Sequence, residues 1–500
     1  MGTETVILIL VSAALLLVGV LASTLSSRFG VPALLLFLGL GMLAGSEGLG
    51  GIWFDSPAVA MAVGSVALCL ILFDGGLQTD LEHVTRGVAS RGIALATLGV
   101  ILTAVVTGGF ATLVLGMPII EGLLLGAILS STDAAAVFSV LRARSVGLPA
   151  RLRTLIEFES ASNDPTAVFL TVMLISLLLG AVAAPALLPL SYLYRIAGGG
   201  LLGWLGGVVL VRVLNRVGLE HDGLYPVLTL AGAGVIFGIG EILGTSGFMA
   251  AYIAGLTMAG RIFVHRRSLM RFHDGLAWLM QIAMFLILGL LVFPSHIIAQ
   301  AGPAIAVSAA LIFVARPVAV FVCLIGSGYT VREKLMVSWV GLRGAAPIIL
   351  ATFPMVAGLD AAGTIFNIVF FAVVLSVLVQ GPTAGLVARV LRLAEPATPA
   401  ERPPIEIDVE ASGGMTISRL VVEPGSPADG QRLVDIGGPS RPLVILVRRE
   451  GWYFIPTGTT ILRAGDELHA LGTPEMIEEM SSCECLRVVE PAQADAGGGP

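Results

Sequence analysis

Charge is what this chain has least of. Only 12% of its 500 residues are Asp, Glu, Lys or Arg, against about a quarter in ordinary soluble domains. Hydrophobic residues make up 56%, and the mean hydropathy of +0.95 excludes a soluble globular protein. Cysteine is scarce as well: Cys69, Cys323, Cys483 and Cys485 are too few and too scattered for a disulfide framework. Cys483-Glu484-Cys485 has neither a metal-site spacing nor neighbouring ligands. The six histidines (83, 221, 265, 273, 296 and 469) fall at loops, at segment ends or in the C-terminal region. They leave no nucleophile-base pair or metal triad within the apolar runs, which argues against an intramembrane hydrolase, and no cofactor is expected. A net charge of −6 without a long basic run offers nothing to nucleic acid. A Thr-Val-Gly-Tyr-Gly filter, which a potassium channel would want, is also missing.

What the chain has instead is a series of apolar runs, each near the ~20 residues that a membrane-spanning helix needs. They lie at roughly 4–22, 30–46, 57–75, 89–115, 119–141, 154–180, 196–214, 224–242, 245–261, 273–293, 303–326, 334–357 and 362–390, about thirteen in all. The first reads as a span and not a signal peptide, because Glu4 precedes it, there is no basic segment, and no cleavage site follows. Basic residues alternate with this count. With the N-terminus outside, the inner loops collect Arg28; Arg86 and Arg91; Arg142, Arg144, Arg151 and Arg153; Arg212 and Arg216. They go on to collect Arg261, Arg266, Arg267 and Arg271; Arg332 and Lys334; Arg389 and Arg392. The outer side receives Arg195 alone. This positive-inside bias predicts a multi-pass protein of the cell (inner) membrane, with the C-terminal region in the cytoplasm.

The chain changes character after residue 393. The reading is a membrane domain over 1–393, a Pro-rich linker over 394–404, a small α+β cytoplasmic module over 405–490 and a Gly/Ala-rich disordered end over 491–500. In the module, Pro442–Arg449 and Trp452–Ile455 read as paired strands about a turn at Glu450-Gly451. A further strand is expected over Glu467–Leu471 and a helix over Pro474–Met480.

The few polar groups inside the runs cluster. Asp164 is foremost, because a carboxylate at the bilayer centre costs about 2.5–3.5 kcal/mol even on the lenient insertion scale. Helical spacing sets Ser160 and Asp164 on one face, with Glu159 and Asn163 in the adjacent row. Hydroxyl, amide and carboxylate oxygens of this kind suit alkali cations and protons. The fifth and twelfth runs, around Thr132-Asp133 and around Gly341-Leu342-Arg343-Gly344 with Pro347, are the expected broken helices, since unwound backbone is tolerated where it lines a cavity. They lie seven runs apart, as two inverted repeats require. Asp133 near positive half-helix ends and Arg343 near negative ones would neutralise those dipoles. Asp133–Arg343 and Glu159–Arg316 are read mainly as structural charge pairs, whereas Asp164 is left with no arginine to neutralise it. Asp74, at a segment boundary, is open between gating and simple solvation. Glu47 and Glu241 lie near outer loops and are assigned no role.

Phe73-Asp74-Gly75-Gly76-Leu77, Ser131-Thr132-Asp133-Ala134-Ala135, Glu159-Ser160-Ala161-Ser162-Asn163-Asp164-Pro165 and Gly341-Leu342-Arg343-Gly344-Ala345, in this order and spacing, resemble monovalent cation:proton antiporters of the NhaP type. The C-terminal module, from Val421-Val422-Glu423-Pro424-Gly425-Ser426-Pro427 to Ala464-Gly465-Asp466-Glu467-Leu468, is similar to the TrkA-C (RCK-C) ligand-sensing lobe. The combination is most similar to the bacterial potassium/proton branch. The resemblance implies an all-α NhaA-like antiporter fold with two discontinuous helices crossing. It also implies a homodimer in the lipid bilayer, exchange of K+ (or Na+) for H+, and a small regulatory ligand at the cytoplasmic lobe. Asp164 would bind either cation or proton, assisted by Asn163, Ser160 and Thr132, while Glu159 pairs with Arg316 and Asp133 with Arg343. One departure stands in the fifth run, where Ala134 occupies a position that is Pro in several relatives. Electrogenic relatives carry two adjacent aspartates. Asn163-Asp164 supplies one titrating acid, which implies one-for-one, electroneutral exchange. The rival from another class is a ligand-gated potassium channel or uptake subunit, which shares such lobes.

Overall fold

The computed structural model describes Val6 and residues 10–21, 33–79, 86–144, 146–181, 187–396, 416–436, 442–449, 452–482 and 486–489. The turn at Glu450-Gly451, the Cys483-Glu484-Cys485 run, the end over 491–500 and most of the expected linker lie outside the described residues. The chain divides into two compact units, Met1–Thr398 and Pro399–Pro500.

The first unit is helical. Short helices α1 (Leu10–Leu21) and α2 (Ala33–Ala44) precede α3 (Pro57–Leu77), which starts from a Ser56 cap with proline in its first turn. Next, α4 (Arg86–Ala94) runs through a π-helical turn at Leu95–Gly99 into α5 (Val100–Leu115). The fifth apolar run is split into α6 (Ile119–Ile128) and α7 (Ala134–Ala143), and after it α8 (Ala150–Leu178) carries Asp164. Then come α9 (Leu188–Arg216), α10 (Leu224–Ile242), α11 (Gly247–Ala259), α12 (Arg266–Leu290) and a short α13 (Pro294–Ala299). A second π turn, Leu311–Ala315, joins α14 (Ala301–Ala310) to α15 (Arg316–Cys323). The twelfth run is split into α16 (Val331–Trp339) and α17 (Ala345–Val356), and α18 (Ala362–Val390) closes the unit.

Among the described residues, eight helices are long and apolar enough to cross a membrane. With α1, α2, α11 and the two split pairs, they account for the thirteen runs of the sequence. The fourth and eleventh positions both carry a π turn, and the fifth and twelfth are both broken, so the two halves repeat their irregularities seven positions apart. Each π turn packs against the helix of the other half.

The two largest clusters of buried side chains in this unit tie its helices together. One joins α5, α6, α8, α17 and α18 through residues such as Leu124, Leu155, Ile348 and Val369. The other joins α3 to α9 and α11 through Phe73, Leu77, Leu210 and Ala254. Where α3 meets α11, a Cβ at Gly76 would strike the Tyr252 carbonyl and one at Gly255 the Phe73 carbonyl. Small residues are what allow such close backbone approach between apolar helices.

In the second unit, five strands lie in the order β5-β4-β6-β3-β7. They are β3 (Thr416–Val421), β4 (Leu443–Arg449), β5 (Trp452–Phe454), β6 (Glu467–Gly472) and β7 (Arg487–Val489). Helix α19 (Pro474–Ser482) packs on β3 and β6. The sheet buries Leu420, Val447, Leu468 and Ala470 against Ile477 and Met480. Strands β3 and β7 are additions to the sequence reading, and β3, between β6 and β7, is part of the module's centre.

Candidate ion-binding site

Both interrupted helices are held open by named contacts. Between α6 and α7 the backbone is non-helical over Ser131–Asp133, and between α16 and α17 over Gly341–Gly344. The breaks are bonded to each other, because the Asp133 N–H donates to the Leu342 carbonyl at 2.8 Å. A helix end leaves its last carbonyls and first N–H groups without intrahelical partners. At the α6 end, Arg343 Nη1 donates to the carbonyls of Ser130 (2.8 Å) and Ser131 (2.7 Å). At the α7 start, Asp133 caps the helix, its Oδ1 accepting from the Ala136 N–H at 3.1 Å. The expected Asp133–Arg343 ion pair is therefore corrected. Each residue answers the opposite partial charge of a half-helix end, and no ion pair joins the two among the described residues. Glycine at 344 is required, since a Cβ there would overlap the Asp133 carboxylate.

Helix α8 meets the first break with three polar side chains. Ser160 Oγ donates to the Thr132 carbonyl and accepts from the Ala134 N–H, both at 2.8 Å. Asn163 Nδ2 donates to Thr132 Oγ1 at 2.6 Å, while its buried Oδ1 has no partner. Asp164 accepts a short hydrogen bond from the Ser131 hydroxyl. Among the described residues no Arg, Lys or His pairs with Asp164. Pro165 follows directly and, lacking an N–H, leaves the Ala161 carbonyl without its intrahelical donor. Carboxylate, hydroxyl and carbonyl oxygens thus gather within one turn, a hard-oxygen set suited to a monovalent cation or a proton.

Ser131 is the site residue that sequence reasoning did not single out. Its signal was present, as it lies inside the expected break. Which break residue would point at Asp164 depends on how the backbone is pinned by Arg343.

Glu159 takes a different direction from its neighbours. Arg316 grips it with both terminal nitrogens, Nη1 to Oε1 at 2.5 Å and Nη2 to Oε2 at 2.9 Å, and the two residues are 4% and 1% exposed. Nη2 also reaches the Val337 carbonyl at 3.4 Å, tying α8 to α15 and α16. The arginine lies flat along the second break, where a Cβ at Gly341 would come within 2.6 Å of its Nε. Removing one partner of such a buried pair costs far more than the pair itself contributes.

A cavity of about 780 Å³ runs from exposed Arg142 and Arg153 to Asp164, which is 8% exposed. Ser131, Thr132, Asp133 and Ser160 line its floor. Asp74 stands on its wall and is not the solvated boundary residue that was one reading of it. It is 7% exposed, accepts from Gln78 Nε2 at 2.6 Å through Oδ2, and leaves Oδ1 without a partner. It makes no hydrogen bond to Asp164 among the described residues. Leu68 and Leu72 of α3 and Phe248 and Tyr252 of α11 form a separate apolar cluster packed on Ala161, Val168 and Ala346. A second cavity of about 330 Å³ lies along Pro165, Val168 and Phe169 and includes Arg195 and Glu241. Asp164 lines the larger cavity and does not line the smaller. Glu47 and Glu241 each hold a loop: Glu47 accepts from the Ser295 N–H (2.8 Å) and hydroxyl, and Glu241 from the Gly247 N–H (2.9 Å).

A polytopic helical unit whose two broken helices meet beside an unpaired buried carboxylate defines a membrane transporter. The model of the transmembrane sodium/hydrogen exchanger family matches residues 12–390, and that of the TrkA-C domain matches 417–482. The K(+)/H(+) antiporter NhaP of Alkalimonas amylolytica is 39% identical over 464 residues, covering 93% of this chain and 80% of that protein. NhaP2 of Shewanella oneidensis, also a K(+)/H(+) antiporter, is 39% identical over 476 residues, covering 95% and 82%. The sodium proton antiporter MjNhaP1 from Methanocaldococcus jannaschii, solved at pH 8, matches with a TM-score of 0.70 at 26% identity, covering 78% of this chain and 99% of that one. The chain belongs to the sodium/hydrogen exchanger family and carries a TrkA-C domain.

Proposed function

We propose that this protein is a secondary antiporter exchanging K+ for H+ across the cell membrane, with cation and proton competing for Asp164. The observation that carries the reading is the Asp164 carboxylate itself: buried at the floor of the larger cavity, beside two helix breaks, and hydrogen-bonded by a serine hydroxyl instead of neutralised by a base. An ionised carboxylate in that place calls for a cation, and either K+ or H+ satisfies it. Ser131, Ser160, Thr132 and Asn163 supply or fix the surrounding oxygens. Glu159–Arg316, Asp133 and Arg343 hold the frame. Because Asn163 stands beside Asp164, one acid titrates per cycle and exchange is one-for-one and electroneutral.

The potassium assignment follows the names of the relatives that match over more than nine-tenths of this chain. Sodium is the second reading, favoured by the likeness to a sodium proton antiporter structure. The arginine distribution supports a cytoplasmic C-terminal module over 405–490, joined by the linker over 394–404. A homodimer and a small ligand at that module complete the proposal, with Asp74 as a gating residue on the cavity wall.

Proton flux in proteoliposomes, with KCl and NaCl added in turn, tests the reading. Native protein moves protons when K+ is added, whereas Asp164→Asn does not. Flux surviving in Asp164→Asn places the site elsewhere, and cation flux without proton movement restores the channel. Turnover that follows the membrane potential overturns electroneutrality.

A further inference from the structure

The residues that leave the membrane unit are tied to the scaffold of the ion site. The C-terminus of α18 is closed by a Leu393 N–H bond to the Ala388 carbonyl at 2.9 Å. Arg392, inside that turn, has φ of 59°, a left-handed conformation that side chains other than glycine rarely adopt. Glu395–Pro396 (β2) then runs antiparallel to Val146–Gly147 (β1), with Val146 opposite Pro396 and Gly147 opposite Glu395.

β1 is no ordinary loop. It lies in the short connection between α7, which is capped by Asp133, and α8, which carries Ser160, Asn163 and Asp164. Val146 and Leu148 anchor this connection in the core, at 5% and 7% exposure. A Cβ at Gly385 of α18 would lie 3.6 Å from Arg144 Cδ and 3.7 Å from Val146 Cγ2, so α18 itself lies against the same connection. By chain connectivity, the C-terminal module follows β2, so β2 is the described strand of the first unit that lies nearest to that module along the chain.

We propose that Glu395–Pro396 is a strap through which the C-terminal module regulates exchange at Asp164. Paired, it holds the α7–α8 connection in the arrangement described here, with Asp164 lining the larger cavity and not the smaller. Released, it lets α7 and α8 rearrange. A ladder of two residues beside a left-handed Arg392 is a weak fastening, which suits a switch between two populated states better than a permanent clamp. Coupling of this kind is reciprocal, so the state of the strap also biases the module. The inference rests on the antiport reading for its rate measurement only.

The test uses full-length protein carrying Gly147→Cys and Glu395→Cys, closed by oxidant and reopened by reductant, with each single cysteine as control. Closing the strap slows K+-driven proton flux at least fivefold, and reductant restores it. Hydrogen exchange in peptides spanning residues 155–170, several turns beyond the disulfide, slows in parallel. Adding Leu468→Ala, which opens the module's core, changes the flux of the reduced protein and leaves the oxidised protein unchanged. Unaltered exchange over 155–170 on closure overturns the strap, as does an equal effect of Leu468→Ala in both redox states. Native protein without cation-driven proton flux overturns the antiport reading alone, and the exchange over 155–170 still decides the strap.

Discussion

Asp133 and Arg343 serve opposite sides of one helix break instead of each other: the arginine holds the Ser130 and Ser131 carbonyls just past α6 while the aspartate caps the first turn of α7. The unwound backbone of Ser131–Asp133 lies between the two helix ends they serve. That backbone presents Ser131 and Thr132 to α8. The frame is electrostatic, and the site hangs from it.

Arg343→Met leaves two buried carbonyls without donors. Each unsatisfied group costs about 1–3 kcal/mol, so the thermal midpoint of the purified protein falls by many degrees. Asp133→Asn, which keeps a capping oxygen, stays within about 1 kcal/mol of the native protein. A comparison of the two by thermal unfolding in detergent checks the separate roles; equal losses would contradict them.

Ser131→Ala removes the hydroxyl that Asp164 accepts from. A hydrogen bond to a charged group is worth about 1.5–3 kcal/mol, and the variant binds cation about tenfold more weakly while still folding. Ser131→Thr restores most of the affinity. The concentration of K+ giving half-maximal proton flux is the measurement, and an unchanged value in Ser131→Ala removes Ser131 from the site.

Glu159→Ala strands the Arg316 guanidinium among α8, α15 and α16 at a cost of about 3–5 kcal/mol. Replacing both residues costs less than the two single losses added together, because no lone charge then remains buried. Expression level and unfolding midpoint of the two singles and the double complete the cycle.

Gly341→Ala and Gly344→Ala test the second break from its other side. The first pushes a methyl group onto Arg316 Nε, the second onto the Asp133 carboxylate. Each destabilises by about 1–3 kcal/mol through overpacking. Gly363→Ala, where nothing lies within 4 Å of the added carbon, leaves the unfolding midpoint essentially unchanged.

In the C-terminal module, His469 is 6% exposed and its Nε2 has no partner. Burial pushes its pKa below 6.5, with Glu467 opposing and Arg419 and Arg448 reinforcing the shift. The folded module thus disfavours the proton that the unfolded chain accepts. The contribution to stability is complete above the unfolded pKa of about 6.5 and is lost as pH falls through the lowered folded value. The protection factor of the β6 peptide in full-length protein, which is its exchange rate corrected for the intrinsic pH dependence of amide exchange, therefore falls from pH 8 to pH 5, and His469→Gln flattens the profile.

Periodicity and composition made the helical runs legible, because a span must be continuously apolar over its whole length. Both breaks were legible too, at Thr132-Asp133 and Gly341–Gly344, where small and charged residues interrupt an apolar pattern. The choice between two readings of Asp133 and Arg343 was not. The sequence set each at a half-helix end and also paired the two with each other, and nothing linear distinguishes a pair from two separate caps. The π turns at Leu95–Gly99 and Leu311–Ala315 left no mark either, since an extra residue per turn in an all-apolar helix does not alter the pattern. β3 escaped for a different reason: alternation over Thr416–Val421 is short and follows a polar stretch, and pairing with β6 and β7 is what makes it a strand.

The sequence by itself determined that this chain lives in a bilayer and that its two halves repeat, and it left Asp164 as a carboxylate with no arginine to neutralise it. These follow from local rules, because lipid penalises every exposed charge and every unbonded peptide group wherever it occurs. Only the tertiary structure decided that Ser131 serves Asp164, that Asp74 shares its cavity, and that Glu395–Pro396 fastens to Val146–Gly147. Those contacts join residues distant in the chain, and their geometry depends on how the helix breaks are pinned, which no stretch of sequence contains.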